Sequence, residues 1–78
     1  MPELLPLTVL RPGQVAEVRQ LTGPVVQVRR LEELGLRVGT RVEMVRGGSP
    51  CIVRIGASKL CLRNGELLSV MVELRMTA

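Results

Sequence analysis

Between Arg29 and Val45 the chain reads RRLEELGLRVGTRVEMV, and the order of residues here constrains the fold more than any other stretch. Leu31 and Leu34 lie three apart, on one face of a helix. Gly35 then stands where a helix end calls for positive φ, which glycine adopts without a Cβ clash, and Leu36 follows as the apolar residue that folds back onto the last turn. Gly39-Thr40 opens an alternation of Val42 and Met44 against Arg41 and Glu43, the period of a half-buried strand. A helix end, a turn and a strand thus follow one another directly. Nothing in the run is catalytic.

The helix that stops at Gly35 is predicted over Val25 to Leu34, with Pro24 in its first turn, where a missing N–H costs nothing. Val28, Leu31 and Leu34 form its apolar stripe, and Gln27, Arg30 and Glu33 its outer face. The β-branched Val25, Val26 and Val28 make it a poor helix on its own, so packing against a sheet must hold it. Ahead of it, Met1 to Leu7 holds two prolines and little pattern and reads as a flexible lead-in, with Leu4, Leu5 and Leu7 available to tuck against the body. Pro12-Gly13 makes a turn, and Gln14 to Leu21 reads as a strand with Ala16 and Val18 opposite Glu17 and Arg19. Thr22-Gly23-Pro24 ends it.

After the Thr40 to Arg46 strand and the loop Gly47-Gly48-Ser49-Pro50, Cys51 to Ile55 and Lys59 to Arg63 read as a hairpin. With Ala57-Ser58 as its two-residue turn, Ile55 faces Leu60 and Val53 faces Leu62 on the core side, while Arg54 opposes Cys61 on the other. Cys51 then falls inside. Asn64-Gly65 is a further turn, and Glu66 to Leu74 the closing strand. At 78 residues the chain makes one domain, 1–78, and without Phe, Tyr or Trp its core is built from Leu, Val, Ile, Met and Ala. Branched aliphatics favour short strands. The predicted fold is mainly β: a small, partly open barrel of about five strands of the SH3-like type, with one short helix inserted after the first strand.

A formal charge of +4 permits a nucleic-acid or anionic-membrane partner without requiring one. The basic residues are scattered and carry acidic neighbours at Glu17, Glu32, Glu33 and Glu43, the usual state of a soluble surface. No apolar run approaches the roughly 18 residues of a membrane span, and the N-terminus lacks the pattern of an export signal. The expected location is the cytoplasm. Cys51 and Cys61, sent to opposite faces by the hairpin, read as free thiols.

The chain has no His and no Asp, which excludes Ser-His-Asp, Cys-His and most metal-hydrolase constellations. Glu32 and Glu33 are adjacent on a helix and point apart. No glycine cluster cradles a phosphate, since Gly47-Gly48 runs into Ser49-Pro50. The reading is a non-enzyme with no cofactor. Cys51 and Cys61 are weak candidates for a divalent transition metal, lacking CxxC spacing, and Met44, Met71 and Met76 read as core or edge filler. Docking in an aromatic groove and base stacking both need rings that are absent. What remains is contact through aliphatic residues with a basic rim. Its candidates are Arg29, Arg30, Leu31, Leu34, Leu36, Arg37 and Arg41, as far as they are exposed beyond a helix stripe that belongs to the core.

The same run, with Leu10-Arg11-Pro12-Gly13-Gln14-Val15-Ala16-Glu17-Val18, Val53-Arg54-Ile55 and Leu60-Cys61-Leu62-Arg63 in matching order, resembles the FeoA family across nearly the whole chain. The chain departs from the family in its short Gly47 to Pro50 loop and at Cys61, where a small polar residue is usual. The resemblance implies an SH3-like domain and a cytoplasmic accessory role in bacterial ferrous-iron uptake, in a family associated with transition metals. It implies as partner the cytosolic GTPase part of the ferrous-iron permease. Homo-oligomerisation stays open. Two alternatives stand beside it: the SH3-like regulatory module of a metal-responsive repressor, opposed by the lack of a helix-turn-helix segment, and a small basic RNA-binding barrel.

Overall fold

Apolar residues at every second position pave one side of each long strand: Ala16 and Val18, Val42 and Met44, Cys51 and Val53, Val70 and Val72 are all buried. The computed structural model describes residues 3–48, 50–63, 65 and 69–75. Its elements are β1 Leu4–Pro6, a 3-10 turn Leu7–Val9, β2 Val15–Leu21, α1 Val25–Glu33, β3 Arg41–Arg46, β4 Cys51–Ile55, β5 Ser58–Leu62 and β6 Val70–Arg75. The strands form one open antiparallel sheet in the order β1-β6-β2-β3-β4-β5. Leu7, Leu10, Leu31, Leu36 and Leu62 complete the core between sheet and helix.

Two expectations about the architecture change. The described residues hold six strands rather than about five, and the helix follows the second of them, because the supposed lead-in contains β1. Leu4, Leu5 and Pro6 pair with Glu73, Val72 and Met71, and Leu7 is fully buried. Pro6 hid this strand. Proline donates no backbone hydrogen bond, so it is admitted only at a sheet edge, which is where β1 lies. The closing strand runs from Val70, and the residues Glu66 to Leu68, Asn64, Ser49 and Met76 of the expected elements lie outside the described residues.

The hairpin keeps its predicted faces and shifts its register by two. Val53 opposes Leu60, Cys51 opposes Leu62, and Arg54 opposes Lys59 rather than Cys61. The turn is Gly56-Ala57, since Gly56 takes φ +58° and the type II′ hairpin turn places its glycine first. A shift of two leaves every side chain on its own face.

The helix end carries the densest set of backbone bonds. Leu36 N–H donates to the Leu31 carbonyl and Gly35 N–H to that of Glu32, each at 3.0 Å, with Gly35 at φ +106°. This is the paired-bond Schellman stop. Its apolar partners, Leu31 and Leu36, are both fully buried, each contributing about 2 kcal/mol on transfer from water. At the other end Pro24 occupies the cap position, just outside the first turn, with no side-chain cap. Gln27 is not on the outer face. Its Nε2 donates to Ser69 Oγ at 2.7 Å and to the Gly65 carbonyl at 3.2 Å, tying the helix to the segment before β6.

On the outer face of β2 and β6 Arg19 bridges Glu17 and Glu73, each at 2.9 Å, and Arg75 also binds Glu17. The hydrogen bond from Arg75 holds the Glu17 carboxyl below its ordinary value of 4.5. A lowered folded-state value stabilises the protein above the unfolded value, and the contribution disappears as pH falls through the folded one. Melting temperature measured against pH should therefore fall less steeply on the acid side in Glu17→Gln than in wild type.

At Gly35 an added Cβ would meet nothing closer than Ile55 Cδ1 at 4.0 Å, so the obstacle to substitution is backbone strain rather than space. Gly35→Val should lower stability by about 1 kcal/mol or more. Gly47→Ala, at a site without positive φ and with no atom within 4 Å, should change it little. Chemical denaturation of the pair checks both, and an unchanged midpoint for Gly35→Val would remove this account of the helix stop.

Candidate functional site

Val26, Arg30 and Leu34 recur every four residues of α1 and its cap, and so stand in one ridge along the helix. Facing them is β5, with Leu60 on one side of the strand and Lys59 and Cys61 on the other. Between ridge and strand lies an open groove of about 950 Å3, closed off by Pro24, Gln27, Pro50, Arg63 and Gly65. Its apolar lining comes from Pro24, Val26, Leu34, Pro50 and Leu60. Three cations, Arg30, Lys59 and Arg63, stand round it, and among the described residues no carboxylate does.

Of the residues singled out from the sequence, the structure gathers Arg30 and Leu34 at this groove. Leu34 is 41% exposed, as the cap residue beyond the last helical turn. Leu31 and Leu36 are wholly buried and support the surface from beneath without reaching it. Arg29 is exposed outside the groove lining. Arg37 donates from Nε to the Glu32 carbonyl at 3.2 Å, satisfying an acceptor at the helix end. Arg41 lies by a separate shallow cavity of about 390 Å3 with Val15, Glu43, Arg54 and Gly56.

Lys59, Cys61 and Arg63 were not among the expected contact residues. Their spacing of two along a strand was visible in the sequence, whereas their meeting with α1 is a product of the sheet's curl and was not.

Cys51 and Cys61 are both free, and they face opposite sides of the hairpin, one buried and one exposed. Burial pushes the Cys51 thiol up. Among the described residues no three of Cys and Glu converge to hold a metal, so the two weak metal candidates are not brought into one site. No described helix is long and apolar enough to cross a membrane.

The FeoA-domain family model matches residues 5–74, almost the whole of this sheet and helix. The chain belongs to the FeoA family. A FeoA from Stenotrophomonas maltophilia, solved with zinc and described as an SH3 domain protein, is 34% identical over 85% of this chain and 86% of its own, with a TM-score of 0.70. FeoA from Chlorobium tepidum is 28% identical, covering 92% of this chain and 71% of its own, at a TM-score of 0.84. A manganese-dependent transcriptional repressor reaches a TM-score of 0.88 at 15% identity over 96% of this chain, which is a likeness of fold alone, and the chain spans 44% of that repressor. No curated protein matches. The fold is accordingly the SH3-like FeoA fold, in an open six-stranded form.

The two thiols differ enough in exposure to be counted separately. A thiol reagent added to the native, non-reduced protein should titrate one group, Cys61, and after unfolding two. No titratable thiol in the unfolded protein would mean that the cysteines pair.

Proposed function

We propose that this chain is a non-enzymatic accessory protein of ferrous-iron uptake that docks, in the cytoplasm, on the cytosolic GTPase part of the ferrous-iron permease and modulates it. Membership of the FeoA family, with its match over residues 5–74, carries the accessory role in ferrous-iron transport. Docking on the GTPase is the finer step, supported by chemistry. A chain without His or Asp is ill equipped to hydrolyse or transfer anything, so its effect on a transporter must come through binding. The groove beside α1 supplies a surface for that, with aliphatic lining to be dried on contact and arginine and lysine at the rim to orient an acidic partner. The S. maltophilia relative, 34% identical, is described as a candidate activating factor of bacterial ferrous-iron transport, which agrees with modulation rather than catalysis.

The repressor-like fold favours a second reading, a regulatory module that responds to metal. The zinc in the S. maltophilia protein points the same way, towards a divalent cation as ligand. In this chain such a cation would need donors other than Cys51, which is buried in the core.

Arg30 is exposed, lies on the groove rim and makes no described ion pair, so reversing its charge alters the surface without touching the core. The wild-type chain should bind the permease's cytosolic domain, in a manner that depends on the guanine nucleotide. Arg30→Glu should slow association at low salt, with the difference shrinking as salt rises. Absence of wild-type binding in every nucleotide state would overturn the docking, and equal association rates would remove Arg30 from the surface.

A further inference from the structure

β5 ends the sheet: among the described residues it pairs with β4 alone. With Gly56-Ala57 as a two-residue turn, Ile55 and Ser58 form a hydrogen-bonded pair, and the alternation of an antiparallel ladder gives Val53–Leu60 and Cys51–Leu62 the same character. Lys59 and Cys61 fall between them, in the other kind of pair, so their backbone N–H and C=O groups point away from β4. Those groups demand partners. The groove lining agrees, because Lys59, Leu60 and Cys61 all line it in succession. Successive side chains of a strand point to opposite faces, so a groove that meets all three runs along the strand's edge.

We propose that β5 accepts an extended segment of a partner protein as an added strand, and that this segment alternates aliphatic with acidic residues. Side chains on one face of the added strand would meet Leu60 and the α1 ridge of Val26 and Leu34, which are apolar. Those on the other face would lie beside Lys59 and Cys61, where a carboxylate opposite Lys59 makes a favourable cross-strand pair. Arg30 adds positive charge from the helix side, and no described residue of the lining offers a carboxylate to compete. The charge also argues against a second copy as the occupant. β5 laid on its twin would set a lysine-bearing edge against another, and like charges directly opposite are destabilising. The sheet's other edge, β1, is three residues long and contains Pro6, a poorer template than β5.

The inference deepens the docking reading and rests on the chain having a protein partner, but its test uses a defined probe. A short peptide of alternating glutamate and valine should bind the folded protein and slow amide exchange at Lys59 and Cys61. Alternating lysine and valine, or the first composition rearranged into a glutamate block and a valine block, should not. Cys61→Pro removes an outward N–H at an edge position that tolerates proline, and should weaken the acidic peptide by about tenfold or more. Lys59→Glu, which leaves the backbone intact, should do the same and lose most of its effect at high salt. The proposal is overturned if the acidic peptide does not bind, if it binds without protecting those two amides, or if both variants bind it as wild type does. Protection of the β5 amides that rises with protein concentration in the absence of peptide would also overturn it, assigning the edge to a second copy. Binding of the permease's cytosolic domain, measured beside the peptide, separates the two readings: wild-type binding unaffected by either variant sinks the strand addition and leaves the docking standing.

Discussion

Leu31 and Leu36, brought together by the Gly35 stop, are the contact on which the helix and the groove both depend. Without the glycine's positive φ the chain could not reverse at that point, and Leu36 could not bond back to the Leu31 carbonyl while burying beside it. The helix has few other resources. It has no side-chain cap at its start, Val25 and Val26 are exposed, and its β-branched residues disfavour helix. Held by its end and by Gln27, it stands where Val26, Arg30 and Leu34 form one wall of the groove. Just beyond the stop, Gly39 N–H donates to the Val18 carbonyl at 2.7 Å and Val18 N–H to that of Thr40 at 2.8 Å. These bonds deliver the chain into β3 beside β2.

Charge is distributed unevenly over this frame. On β2 and β6, Glu17 and Glu73 meet Arg19 and Arg75, and on β3 and β4 Glu43 meets Arg54 at 3.6 Å, so much of the carboxylate is engaged on the sheet's outer face. These pairs are partly exposed and individually weak. Their consequence is the positive balance they leave elsewhere. Arg30 gathers about the groove with Lys59 and Arg63, although in the sequence it stands about thirty residues before them and the three look like scattered surface charge. A net charge of +4 is therefore less informative than where the basic residues gather.

Much of the strand pattern could be read directly. Ala16 with Val18, Val42 with Met44 and Cys51 with Val53 announce their faces by alternation, and Gly35 announces the helix end. The misreadings have physical causes. Pro6 disguised an edge strand, because proline ordinarily signals a break and only the sheet order shows that its missing N–H is harmless there. Gly56-Ala57 and Ala57-Ser58 are both available as hairpin turns on inspection, and they differ by two in register while predicting the same core. Gln27 looked like a solvent residue because its partners, Ser69 and Gly65, lie about forty residues away.

The sequence by itself determined the local conformations and the burial of each face, since these depend on backbone sterics and on a period of two or of about four residues. It also ruled out the common catalytic constellations, since His and Asp are missing altogether. Only the tertiary structure decided that β1 and β5 are the edges among the described strands, that the hairpin turns at Gly56-Ala57, and that α1 and β5 flank a common groove. Those are consequences of which strands pair and how the sheet curls under its helix, set by contacts between residues far apart in the chain. A pattern with a short repeat carries no record of them.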